Sequence, residues 1–207
     1  MASWMKRTFS AEGVTEYPPG SNLAALQTRF GGSGVVVLCI DVSFSMSGDP
    51  LEQAQRGGRG FIEDAVAGGY SIGLVLWDHE ILDAVHPTRD AARVHRALDA
   101  ATARGGTQLV PALTLAERML MDSDATDKVC VIFSDGSLTD QDDAEAAASR
   151  LRSQRVRILT IGLGPVASRG LDPLASPSQP ATTTSTAKTL AHDMRQMAAG
   201  LKRKNRS

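Results

Sequence analysis

No apolar run in this chain is long enough to cross a bilayer. The longest, VVVLCI over Val35–Ile40, falls far short of the ~20 residues that a membrane-spanning helix needs. The opening residues, MASWMKRTFSAEG, contain no apolar stretch of the kind found in a secretory leader, so the sequence by itself reads as cytoplasmic. Net charge is also missing. Lys and Arg number 22 against 23 Asp and Glu, leaving −1, so no global field draws the protein to nucleic acid or an anionic membrane. Cysteine is scarce: Cys39 and Cys130 both lie inside apolar runs and read as small buried hydrophobes in a reducing compartment rather than as a disulfide. Catalytic signatures are absent as well. There is no G-x-S-x-G, no G-x(4)-G-K-[ST], no H-E-x-x-H and no cysteine pair at zinc spacing. The four histidines are scattered; His79 reads as a hairpin tip, and His86, His95 and His192 as surface residues. Enzymatic chemistry is not expected.

What the chain does have is the composition of one sizeable core, with 42% apolar and 22% charged residues over 207 positions. Residues 1–33 lack clear periodicity and read as an N-terminal extension: EYPPGSN is turn-like, LAALQTRF suits a short helix, and GGSG at 31–34 suits a flexible joint. From Gly34 the pattern becomes regular. GVVVLCID, DKVCVIFSD and VRILTIGLG are continuous apolar runs, as in strands buried on both faces of a parallel sheet. SIGLVLWD and ILDAVHPT, separated by His79 and Glu80, read as an antiparallel hairpin. A helix is expected from Asp49 as N-cap with Pro50 in its first turn. Its Gly57, Gly58 and Gly60 imply either very close packing or local looseness. Further helices fit RDAARVHRALDAA, LTLAERMLM, DQDDAEAAASRLRSQ and AKTLAHDMRQMAAGLKRK. Residues 165–186 read as loop with one short strand near ATTTS. Alternating strands and helices give an α/β fold: a doubly wound, mostly parallel sheet with one antiparallel edge strand and helices on both faces, over residues 34–201. A basic tail at 202–207 closes the chain. Its Lys202, Arg203, Lys204 and Arg206 read as complements of a helix dipole rather than as a nucleic-acid site.

Ligands of such sheets bind at the carboxyl ends of the strands, and two apolar strands here end on Asp41 and Asp135. Ser43 and Ser45 come after Asp41 at period-two spacing, which in extended backbone points all three side chains the same way. Thr107, in the glycine-marked loop GGTQL, can supply a further hydroxyl. One carboxylate from each of two strands, with several hydroxyls, makes an all-oxygen site suited to a hard cation such as Mg²⁺ or Mn²⁺.

The ordered stretches DVSFS, GGTQLVPAL and FSDG resemble the metal-ion-dependent adhesion site (MIDAS) of von Willebrand factor A domains, and IGLVLWDHEILDAV resembles that family's second and third strands. The resemblance implies that Ser43 and Ser45 bind the metal directly, Thr107 directly or through a water, and Asp41 and Asp135 mostly through waters and hydrogen bonds. Neutral direct ligands would leave the cation able to take a carboxylate from a partner protein. Phe44 stands where the family often has a small residue; Phe44 and Gly106 are candidate partner contacts. The family's short members imply an adaptor, working beside an AAA+ (MoxR-type) ATPase or inside a signalling or defence complex. A site that holds metal only as a structural pin is the alternative. DVSFS also resembles the signature of haloacid-dehalogenase-type phosphatases, but Ser43 stands where that chemistry needs its general-acid aspartate.

Overall fold

The computed structural model describes residues 34–136, 138–177, 183–186 and 189–204. The expectations for residues 1–33, and for the side chains of the basic tail, lie outside the described residues.

Among the described residues, six strands form one sheet in the order β3-β2-β1-β4-β5-β6. They are β1 (Gly34–Asp41), β2 (Tyr70–Trp77), β3 (Ile81–Thr88), β4 (Asp127–Ser134), β5 (Arg157–Leu163) and β6 (Thr183–Ser185). Every pairing is parallel except that of β2 with the edge strand β3. Among the described residues, six helices are α1 (Asp49–Ala67), α2 (Ala91–Asp99), α3 (Val110–Met121), α4 (Gln141–Ser153), α5 (Pro165–Leu171) and α6 (Leu190–Lys204). The expected doubly wound α/β architecture is therefore the one observed.

The apolar runs are long because β1 and β4 are covered on both sides. Val36, Leu38 and Ile40 point into one core with Phe61, Leu98 and Met194. Val35, Val37 and Cys39 point into the other with Leu113, Leu120 and Ala148. Period-two alternation thus feeds two cores from one strand, each large aliphatic side chain contributing about 1.5–3 kcal/mol by burial. Cys39 and Cys130 share the second core, buried and unpaired.

The α1 glycines mark close packing. A Cβ on Gly58 would come within 2.8 Å of Leu98, and one on Gly60 within 3.0 Å of Arg195 on α6. The cap of α1 is Gly48 rather than Asp49, because its backbone (φ 80°, ψ −131°) is of the kind glycine adopts most readily. The stretch after β5, expected as loop, contains α5 and a 3₁₀ turn at Asp172–Leu174. Pro165 lies in the first turn of α5, and Ala167 and Leu171 are buried. His79 lies at the hairpin tip as expected. His95 is half-buried rather than at the surface, and its Nε2 finds no hydrogen-bond partner.

Candidate metal centre

Strands β1 and β4 run side by side with Ile40 opposite Phe133, so both release their chains at one carboxyl edge, where the strand order reverses direction. Asp41 is fully buried there. Its Oδ1 accepts the Ser43 N–H (2.7 Å) and its Oδ2 the Ser134 hydroxyl (2.5 Å). Ser43 Oγ lies 3.1 Å from Ser45 Oγ, and Ser45 Oγ donates to Asp135 Oδ1 at 2.7 Å. A Cβ built on Gly136 would lie 3.6 Å from Thr107 Oγ1 and 3.9 Å from Ser45 Oγ, so Thr107 faces the same spot. All five residues expected at the site are gathered there.

The route differs from expectation in one respect. Ser43 is extended (φ −60°, ψ 165°), but Phe44–Met46 form a 3₁₀ turn, closed by the Met46 N–H on Ser43 O and the Ser47 N–H on Phe44 O. Ser45 therefore reaches Ser43 through a tight turn and not through strand alternation.

Burial raises the Asp41 carboxyl from 3.8 to about 6, although the Ser134 and Ser43 hydrogen bonds pull it down. Burial also raises Asp135, against its hydrogen bond from Ser45. Among the described residues no Lys or Arg forms an ion pair with either carboxylate. The donor set is all oxygen. Such a set suits a hard divalent cation.

The loop carrying Thr107 is fastened on three sides. The Arg104 N–H donates to Val42 O, the Phe44 N–H to Gly105 O, and the Gln108 N–H to Asp78 O. Thr139 donates both its N–H and its hydroxyl to Thr107 O. The Asp140 carboxylate then accepts the Leu109 and Val110 N–H groups where α3 begins. Phe44 is 73% exposed beside the site, and Gly106 is exposed in the loop.

Three of these positions escaped the sequence reading: Ser134, Asp78 and Asp140. The signal for Asp78 was present, since β2 is a third apolar strand ending on an aspartate. Asp78, His79 and Glu80 also lie close enough together to hold an ion. Arg104 already spans that group, with Nε 3.7 Å from Asp78 Oδ2 and Nη2 3.2 Å from Glu80 Oε1.

The sequence profile of the von Willebrand factor type A domain matches residues 36–198. The chain belongs to this family. The vWA domain is also 32% identical over 114 residues to the minor fimbrium subunit Mfa5 of Porphyromonas gingivalis, covering 51% of this chain but only 9% of that protein. The solved vWF domain of the type V pili tip protein Mfa5 superimposes with a TM-score of 0.78 at 17% identity, over 86% of this chain and 97% of that one. Proximal thread matrix protein 1 from the mussel byssus, solved with a zinc-occupied MIDAS motif, gives 0.69 at 21% identity, over 83% and 46%. At these identities the two structures speak for the fold.

The cytoplasmic location expected from the sequence is corrected by these relatives, since a fimbrium subunit and a pilus tip protein point against it. The physical reason is plain. A folded domain's interior does not record which side of a membrane it works on, and two buried cysteines do not fix the compartment. Nor do the relatives support a MoxR-type ATPase as partner.

Proposed function

We propose that this vWA domain is a binding module that holds Mg²⁺ or Mn²⁺ and grips a carboxylate of a partner protein through it. Ser43, Ser45 and Thr107 would hold the ion, with Asp41 and Asp135 holding those hydroxyls and any bridging waters. The observation that carries this reading is the continuous hydrogen-bonded chain Ser134–Asp41–Ser43–Ser45–Asp135, with two carboxylates lacking any cationic partner among the described residues. When bound, the ion supplies a Lewis acid whose charge is little reduced by neutral hydroxyl ligands, and an acidic side chain completes its coordination. The zinc-occupied MIDAS of the mussel relative supports a divalent ion in a motif of this kind. Partners in a surface-borne assembly suit the fimbrial and pilus relatives.

The protein's own part is to hold hydroxyl oxygens at fixed spacing and to offer an apolar neighbour. Phe44 projects beside the oxygens, so a partner carboxylate flanked by an apolar side chain would bury that side chain against it. Phe44→Ala is expected to leave cation affinity unchanged and weaken partner capture, by about 1–2 kcal/mol for an aromatic anchor at a rim. The deciding experiment is affinity capture in Mg²⁺, in EDTA, and with Asp41→Ala in Mg²⁺. A protein retained only by the wild type with Mg²⁺ supports the proposal; equal capture in all three makes the site a structural pin.

A further inference from the structure

Asp78 buries a charge with one oxygen left unsatisfied. Its side chain is fully buried. Oδ1 closes the β2–β3 hairpin by accepting the His79 N–H (2.5 Å) and the Glu80 N–H (2.8 Å). Oδ2 accepts no hydrogen bond, and the Arg104 guanidinium stands 3.7 Å away. An unsatisfied buried acceptor costs about 1–3 kcal/mol, and hairpin closure by Oδ1 does not require it.

The position of Oδ2 shows what it does. It lies against the backbone of Gly105, where a Cβ would come within 2.1 Å of Oδ2 and 2.7 Å of His79 Nδ1. Gly105 also has φ +68°, so only glycine meets both demands. Around this contact the loop backbone is fixed twice more by the hairpin and by the 3₁₀ turn: Gln108 N–H on Asp78 O at 2.8 Å, and Phe44 N–H on Gly105 O at 3.2 Å. Thr107 sits between Gly105 and Gln108, its carbonyl held on the far side by Thr139.

We infer that Asp78 is a positioning residue for the cation site: its buried carboxylate, seated on Gly105 and faced by Arg104, fixes the loop 104–108 so that Thr107 Oγ1 faces Ser45. This rests on the cation site proposed above. Because Arg104 spans Asp78 and Glu80, the hairpin cluster acts as a clasp on the loop and not as a second ion site.

The test uses Asp78→Ala, Gly105→Ala and Arg104→Ala, the last removing a side chain that is 58% exposed. Two readouts are taken: Mn²⁺ affinity by calorimetry, and amide exchange of Gln108 in EDTA. Faster exchange at Gln108 is expected in all three variants. Mn²⁺ binding is expected to weaken roughly 10- to 100-fold for Asp78→Ala and Gly105→Ala, the range seen when a group that orients a metal ligand is removed. In a Thr107→Ala background the same substitutions are expected to weaken binding little further, which loss of stability alone would not produce. Wild-type exchange and wild-type affinity in the folded variants would overturn the inference, as would losses that add in full to that of Thr107→Ala. If the wild type itself takes no Mn²⁺, the cation reading fails, and exchange at Gln108 alone decides whether Asp78 holds the loop.

Discussion

Asp41 is a carboxylate that the sheet keeps out of water, and its protonation is tied to folding. With its pKa raised from 3.8 to about 6, the folded state binds the proton more tightly than the unfolded chain between those values. The sign is set by that difference. This group favours folding below about pH 4, and that contribution is lost as the pH rises to about 6, by roughly 2–3 kcal/mol in all. In EDTA, the urea midpoint should therefore rise on going from pH 7 to pH 5, and should rise less in Asp41→Asn. A cation competes with the same proton, so Mn²⁺ affinity should fall as the pH drops below about 6, approaching tenfold per unit. At this scale the sequence was informative wherever a polar residue interrupted an apolar pattern, as at Asp41, Ser43 and Ser45. It was silent on Ser134, and its signal at Asp78 did not disclose a role, since both roles depend on partners far along the chain: Asp41 Oδ2 for one and the Gly105 backbone for the other.

Two glycines separate packing that can give from packing that cannot. On Gly58 a Cβ would meet the end of the Leu98 side chain at 2.8 Å, and on Gly162 it would meet Ser168 backbone at 2.4 Å. Gly58→Ala should therefore cost about 1–2 kcal/mol, part of it offset by the better helix propensity of alanine. Gly162→Ala should cost more than about 3 kcal/mol, because β5 and α5 must separate; urea denaturation of the two variants checks the order. The same contact explains why α5 was not legible. Its residues are those of a loop by composition, and what makes them a helix is tertiary: Pro165 in the first turn, the Ser168 hydroxyl returned to Gly164 O (2.8 Å), and a strand glycine that admits the helix backbone. The longer helices and the apolar strands were legible because their periodicity is set by burial on known faces. The 3₁₀ turn at Phe44–Met46 was not, since a three-residue turn leaves no period to read.

Across the whole molecule, stability and binding occupy opposite edges of the sheet. At the amino ends of the strands Arg157 forms a two-pronged pair with Asp127, which also accepts the Tyr70 hydroxyl, while that hydroxyl reaches Leu201 O on α6 (3.3 Å). Burial and the neighbouring Asp127 keep the Tyr70 phenol un-ionised, well above its ordinary range. β1 separates the two edges by roughly 25 Å. Tyr70→Phe should accordingly lower stability by about 1–2 kcal/mol and leave Mn²⁺ affinity unchanged, as thermal unfolding and titration of one preparation would show. Fold class was legible at this scale because alternating apolar strands and helices admit few topologies. Location was not, and the fimbrial and pilus relatives corrected it. The most direct measurement is calorimetric titration of Mn²⁺ into the wild type, Ser43→Ala and Asp41→Ala, and then of an aspartate-containing peptide. One-site binding by the wild type is expected, at least about tenfold weaker in both variants, with the peptide bound only when the ion is present. Equal Mn²⁺ affinity in all three proteins, or peptide binding indifferent to the ion, would contradict it.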